Sequence, residues 1–253
     1  MKSFCLLSLT ALVSSALATN PSFSSDRLKG RQASNSSGLQ VDLGYAIYEG
    51  TFTGGLNLWQ GIRYAAPPTG KLRWQEPQDP LPDRSAVIQA DQIPYQCHQT
   101  GSNTDTPGQA LQYAQNPLGG PTSEDCLFLS IYAPQNASNL PVLVWIHGGG
   151  YGLGNGQQNL SDLILANNGG FVGVAIQYRL GAFGFLSSEE VEGKGSVNVG
   201  LMDQTFALKW VKRWIGGFGG DGGRVTVCGE SAGAGSVMLQ SCELFFLLFF
   251  FWV

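Results

Sequence analysis

The run Val227-Cys228-Gly229-Glu230-Ser231-Ala232-Gly233 constrains this chain more than any other stretch, because a glycine-flanked serine joins two kinds of periodicity there. Upstream, Arg224 to Cys228 is short and rich in β-branched residues and reads as a strand; downstream, Ala232 to Gln240 reads as a helix. A Gly-x-Ser-x-Gly turn between strand and helix is sharp. It lifts the serine hydroxyl clear of the sheet and leaves the next backbone N–H to donate to a developing negative charge. Gly229 and Gly233 suit positions where any Cβ would collide as strand and helix approach. Serine also favours helix N-caps, but a simple cap requires neither glycine. A second motif, His147-Gly148-Gly149-Gly150, follows the apolar strand Pro141 to Ile146. Glycine-rich backbone at the carboxyl end of a strand is where α/β sheets place ligands.

The rest of the chain supplies the scaffold these turns need. Val41 to Tyr48 and Leu56 to Tyr64 read as strands, with Gly54-Gly55 as the turn of a hairpin between them. Leu127 to Tyr132, Val142 to Ile146 and Phe171 to Tyr178 are continuous apolar runs, the pattern of parallel strands buried on both faces. Leu201 to Ile215 reads as a helix, with Leu201, Leu208, Val211 and Ile215 at three- and four-residue steps. Gln99 to Thr122, between Cys97 and Cys126, is polar and rich in Gly and Pro, and reads as a long loop. Alternating strands and helices imply an α/β class with a largely parallel sheet.

Charge and cysteine usage narrow the setting. The formal net charge is −4 with no block of Lys or Arg, which argues against a nucleic-acid surface. Lys2, the apolar run Phe4 to Val13 and Ala16-Leu17-Ala18 have the layout of a secretory signal, so residues 1–18 are expected to be removed and the product to be extracellular. Residues 19–39 read as a flexible lead-in rich in Ser and Asn. Export permits disulfides. With Cys5 in the signal, Cys97, Cys126, Cys228 and Cys242 remain, and four cysteines allow three pairings. Cys228 is expected to be a buried core thiol under the serine turn. Asn35, Asn136 and Asn159 open N-glycosylation sequons. After Ser241 the composition shifts abruptly into Phe and Leu, so residues 242–253 read as an aberrant tail from a truncated or altered reading frame. As a helix, Leu244 to Val253 would reach ~15 Å, half the ~30 Å of a hydrocarbon core, so no stable membrane span is expected.

Several further motifs, in order, resemble the type-B carboxylesterase family. They are Gly61-Ile62-Arg63-Tyr64-Ala65 with Pro67-Pro68, Ser123-Glu124-Asp125-Cys126-Leu127, Val144-Trp145-Ile146 with the glycine run, Tyr178 to Phe185, Asn198 to Gln204, Phe218-Gly219-Gly220-Asp221, and the serine turn. The resemblance covers residues 40–241 and implies an α/β-hydrolase fold: a central, mostly parallel sheet with an N-terminal antiparallel hairpin, here truncated after the nucleophile elbow. It implies Ser231 as nucleophile, an oxyanion hole from the backbone N–H groups of Gly149, Gly150 and Ala232, and a Cys97–Cys126 disulfide. It implies a carboxylic ester as substrate, small-molecule or lipid, with no cofactor and no metal. Arg63 stands where the family usually has proline, which is expected to alter only a local turn.

The two histidines, His98 and His147, both precede Ser231, whereas in these hydrolases the histidine follows the serine. His147 is therefore expected to brace the glycine loop rather than to act as base, and His98 to sit in a polar loop. Asp203, Asp221 and Glu124 are expected to cap and pair rather than to catalyse. The resemblance places the family's catalytic acid and histidine in a half that this chain does not contain, so the isolated chain is expected to be inactive. The alternatives are a non-catalytic adhesion module, which would ordinarily have lost the serine, and a truncated product without function.

Overall fold

The computed structural model describes residues 38–100 and 121–249, the last eight as backbone only. The signal, most of the lead-in, Asn35, the greater part of the long loop and residues 250–253 lie outside the described residues.

Two sheets form. The smaller consists of β1 (Gln40–Asp42), β2 (Ala46–Glu49) and β5 (Asp83–Gln89), with β2 in the centre. The larger consists of β3 (Thr51–Thr53), β4 (Leu56–Arg63), β6 (Phe128–Pro134), β7 (Leu140–Ile146), β8 (Val172–Ile176) and β9 (Gly220–Gly229), in spatial order β3-β4-β6-β8-β7-β9. The hairpin across Gly54-Gly55 is present, but its first arm is Thr51–Thr53 and not Val41–Tyr48. The latter segment breaks at Gly44, which adopts φ +77° and whose N–H donates to the Asp42 carboxylate at 2.8 Å. The chain therefore folds back there as a β1–β2 pair.

Strand direction divides the large sheet. β3, β4, β6 and β8 pair antiparallel in succession, while β8–β7 and β7–β9 are parallel. β6 is thus antiparallel on both sides despite its apolar run: six of its seven residues are buried because both faces are covered, a demand independent of strand direction. On one face, α4 (Val199–Trp214) packs Ala207, Trp210 and Val211 into the main core with Ile62, Val144, Val174 and Ile215. On the other, Leu160 and Ile164 beside and within the short helix α1 (Ser161–Ala166) cover Leu56, Tyr132 and Ala175. Two further short helices, α2 (Gly181–Phe185) and α3 (Glu189–Glu192), link β8 to α4, and α5 (Ala232–Phe249) follows β9. β9 lies at the edge of the described sheet, so Cys228 is half-buried rather than a core thiol. Among the described residues, no helix is long and apolar enough to cross a membrane.

Candidate active site

Both sequence motifs emerge at the same end of the sheet. β7 and β9 are parallel neighbours in the register Val144↔Val227, Trp145↔Cys228, Ile146↔Gly229. The residues after Ile146 and those after Gly229 therefore leave the sheet side by side. Gly148 touches the serine turn: a Cβ built on it would lie 3.0 Å from Ser231 Cβ and 2.6 Å from the Glu230 backbone oxygen.

Ser231 is exposed and has φ +53°, the left-handed region that non-glycine residues rarely occupy. Such strain persists only where the surroundings enforce it, and here they do. A Cβ on Gly229 would meet the Gly233 backbone at 2.5 Å, and one on Gly233 would meet the Ile146 carbonyl oxygen at 2.1 Å. Strand and helix are thus in backbone contact, and the turn between them has no room to relax. The Gly233 N–H donates to the Glu230 carbonyl at 2.8 Å and closes the turn. Ala232 opens α5, so its N–H belongs to the first turn, where helical donors have no partner within the helix.

The glycine loop is shaped as tightly. Gly149 has φ +100° and Gly150 φ +61°, and both are exposed. A Cβ on Gly149 would lie 2.4 Å from the Leu153 carbonyl oxygen, so glycine is required there on both counts. The Gly149 carbonyl accepts from the N–H groups of Gly152 and Leu153, at 3.1 and 3.0 Å.

His147 is buried, and its ring stacks on Tyr178 at 4.4 Å and 15°. Its Nδ1 lies 2.9 Å from the Gly148 carbonyl oxygen, which can only accept, so Nδ1 carries the proton. The Tyr178 hydroxyl donates to the His147 carbonyl at 2.8 Å. Burial lowers the imidazole pKa to about 4, with the Gly148 bond opposing, so the ring is neutral near pH 7. Nε2 is buried with no hydrogen-bond partner among the described residues. This is a brace for the loop, as the motif implied. His98 packs against Phe183 at 5.1 Å between ring centroids.

The three candidate carboxylates are engaged in ion pairs. Asp203 accepts from Arg179 Nε at 2.8 Å, Nη2 at 2.7 Å and backbone N–H at 3.0 Å, with both side chains buried. Burial pushes Asp203 up against the pull of these three bonds. Glu124 pairs with Arg73, and Asp221 with Arg224. Cys97 and Cys126 form a disulfide with Cα atoms 5.0 Å apart. Arg63 does more than alter a turn: it ends β4, meets Asp125 through two hydrogen bonds at 2.5 and 2.9 Å, and stacks over Phe128 at 4.6 Å. Asp125 adjoins Cys126, so this pair ties the disulfide to the sheet. A family position outside its usual residue could have signalled such a contact; its partner, 62 residues away, could not be read from spacing.

A strained serine on a strand-to-helix turn, abutting a glycine loop on the neighbouring parallel strand, defines the class of α/β-hydrolase folds. The sequence profile of the Carboxylesterase family matches residues 44–244, and the chain belongs to that family. Among similar sequences, the para-nitrobenzyl esterase of Bacillus subtilis is 42% identical over 195 residues, covering 76% of this chain and 38% of that protein. The cocaine esterase of Oryctolagus cuniculus is 43% identical over 192 residues, covering 75% and 35%. Among solved structures, Aspergillus niger EstA superposes with a TM-score of 0.68 at 39% identity, covering 78% of this chain and 37% of its own. A thermophilic para-nitrobenzyl esterase gives 0.67 at 40%, covering 78% and 40%. The chain thus spans between about a third and two fifths of the length of these relatives.

Proposed function

We propose that the chain carries the nucleophile and oxyanion hole of a secreted carboxylic ester hydrolase acting through an acyl-enzyme. The observation that carries this reading is Ser231 at φ +53° in contact with the glycine loop of the adjacent strand. The Ser231 oxygen attacks the ester carbonyl carbon while a base takes the hydroxyl proton. The carbonyl oxygen becomes an oxyanion and accepts from the N–H groups of Gly149, Gly150 and Ala232. Collapse expels the alcohol, which takes up that proton, and leaves an ester on Ser231. Water then adds to the same carbonyl and releases the acid. His147 is not assigned as the base: its ring is buried, and its Nδ1–H is committed to Gly148. On this reading the base and its carboxylate partner belong to family length that this chain does not span, so the 253 residues alone are expected to turn over esters poorly.

The names of the relatives, a nitrobenzyl esterase and a cocaine esterase, support an ester as the substrate class. Secretion and N-glycosylation belong to the same proposal. Asn136 is exposed in the turn between β6 and β7, and Asn159 is exposed just before α1, as an acceptor requires. The test is covalent. In a family-length protein containing these residues, which supplies the base, a fluorophosphonate should modify Ser231, identified by peptide mass, and Ser231→Ala should abolish the modification. In that protein the same substitution should lower kcat by on the order of 10⁶. Undiminished hydrolysis by that variant would refute the assignment.

A further inference from the structure

The glycine loop is held at its far end by a residue that no motif flagged. Gln99 lies two positions after disulfide-bonded Cys97, and its side-chain amide meets the backbone of Gly154 in both directions. Its Oε1 accepts the Gly154 N–H at 2.7 Å, and its Nε2 donates to the Gly154 carbonyl at 2.9 Å. The same Nε2 donates to the Cys97 carbonyl at 2.8 Å. One residue on, the Thr100 N–H donates to the Gly152 carbonyl at 2.6 Å. The segment at 97–100 therefore runs along the loop at 152–154 and holds it at two points.

Gly154 is where that hold reaches the proposed oxyanion hole. It has φ +108°, and a Cβ there would lie 2.3 Å from His147 Nδ1 and 2.8 Å from the Gly148 carbonyl oxygen. Its backbone thus presses directly on the hydrogen bond between His147 and Gly148. That bond sets a peptide plane. In a trans peptide the carbonyl of one residue and the N–H of the next point in opposite directions. With the Gly148 oxygen held toward His147, the Gly149 N–H is turned away from the imidazole. The other end of the brace is fixed to the sheet: Cys97 is bonded to Cys126, whose carbonyl accepts from Gln177 Nε2 at 2.7 Å.

We propose that Gln99 is a positioning residue for the oxyanion loop, its amide clamping Gly154 so that the disulfide-anchored segment fixes the direction of the Gly149 N–H. The proposal rests on the reading of Gly149 as an oxyanion donor. Gln99 touches no substrate; it acts through Gly154, His147 and Gly148.

The test compares the chain with its Gln99→Met variant, which keeps side-chain length and removes the hydrogen bonds to Gly154 and Cys97. Hydrogen–deuterium exchange should rise about ten-fold or more in peptides spanning 147–154 and stay unchanged in β6 and β7. In a family-length protein containing these residues, the maximal rate of Ser231 modification by a fluorophosphonate should fall about ten-fold while the half-saturating concentration stays within about two-fold. A residue that merely stabilised its own segment would leave that maximal rate alone. Reducing the disulfide should produce the same change in 147–154, with no further increase in Gln99→Met, because both act through one connection. Unchanged exchange in 147–154 would overturn the proposal, as would additive effects of reduction and substitution. If wild-type Ser231 is not modified even in a family-length protein that supplies the base, the nucleophile assignment fails, and the exchange measurement alone then decides the role of Gln99.

Discussion

His147 should make the protein acid-sensitive in a window set by burial. The imidazole has an ordinary pKa of 6.5 when unfolded and about 4 in the folded chain, chiefly from desolvation. Between these values the unfolded state binds the proton and the folded state does not, so stability falls as pH falls. It is undiminished above pH 6.5 and reaches its full loss below about 4. At about 1.4 kcal/mol per ten-fold change in proton affinity, the whole gap is worth about 3 kcal/mol, of which about 2.5 is lost by pH 4.5. Asp42, Asp83, Glu190 and Asp221 are all held below the usual carboxylate range by hydrogen bonds, so their contributions disappear at lower pH still. Asp203, raised by burial, acts in the opposite sense, gaining stability as it protonates. Urea unfolding at pH 8 and pH 4.5 for wild type and His147→Gln isolates the imidazole, because the carboxylates are common to both proteins. Wild type should lose about 2.5 kcal/mol more than the variant across that interval. A difference below about 0.5 kcal/mol would mean that the ring is hydrated in the folded state, and the description of a buried neutral brace would be wrong.

Removing one partner of the buried Arg179–Asp203 pair should be costly. Asp203→Ala leaves the Arg179 guanidinium buried without its counter-charge and should destabilise by about 3–5 kcal/mol in chemical denaturation; a loss under about 1 kcal/mol would show that water replaces the carboxylate. Gly233→Ala places a methyl 2.1 Å from the Ile146 carbonyl oxygen and 2.8 Å from that of His147, so the elbow must move. The cost should be about 1–3 kcal/mol by thermal unfolding, with fluorophosphonate modification of Ser231 slowed more than stability alone explains; a neutral substitution would refute the close approach of α5 to β7.

The serine turn and the glycine run were legible because each demands glycine where backbones touch, and glycine leaves its mark in the sequence. Strands β6, β7 and β8 are legible for a related reason, since apolar runs of this length need cover on both faces, whereas β4 shows through its glycine turn and β9 through its β-branched residues. What the runs do not encode is direction. β6 carries the same signal as β7 and yet pairs antiparallel on both flanks. β5 leaves no signal in the sequence because six of its seven residues are exposed and it has no buried face to generate a pattern. The helices α1, α2 and α3 run for only six, five and four residues, too few for a 3.6-residue period to register. Val41–Tyr48 reads as one apolar-rich strand, but the left-handed conformation at Gly44 reverses the chain within it. Contacts of polar side chains with distant side chains or backbone leave no local trace of the partner. Arg63 with Asp125 and Gln99 with Gly154 therefore emerge only from the fold.

Sheet register is the ruler for the proposed site. The three proposed oxyanion donors come from two segments, the loop after β7 and the first turn of α5, and their spacing depends on how β7 and β9 are aligned. One step of slippage would displace the serine turn by ~3.3 Å along the strand. A misplacement of ~1 Å is enough to cost on the order of 10² in rate. The pairing is continuous from Val142↔Val225 to Ile146↔Gly229, and its irregularity falls between Leu140 and Val142, at the end away from the serine. There Gly219, at φ +83°, packs on Ala137, and the Arg224 guanidinium donates to the Asn139 carbonyl. Arg224 is in turn held by Asp221 at 2.6 Å. Asp221, a candidate carboxylate by sequence, thus acts ten residues before Ser231, beside the irregularity. Its pairing fixes the entry of β9, and the uninterrupted ladder carries that alignment to Ser231.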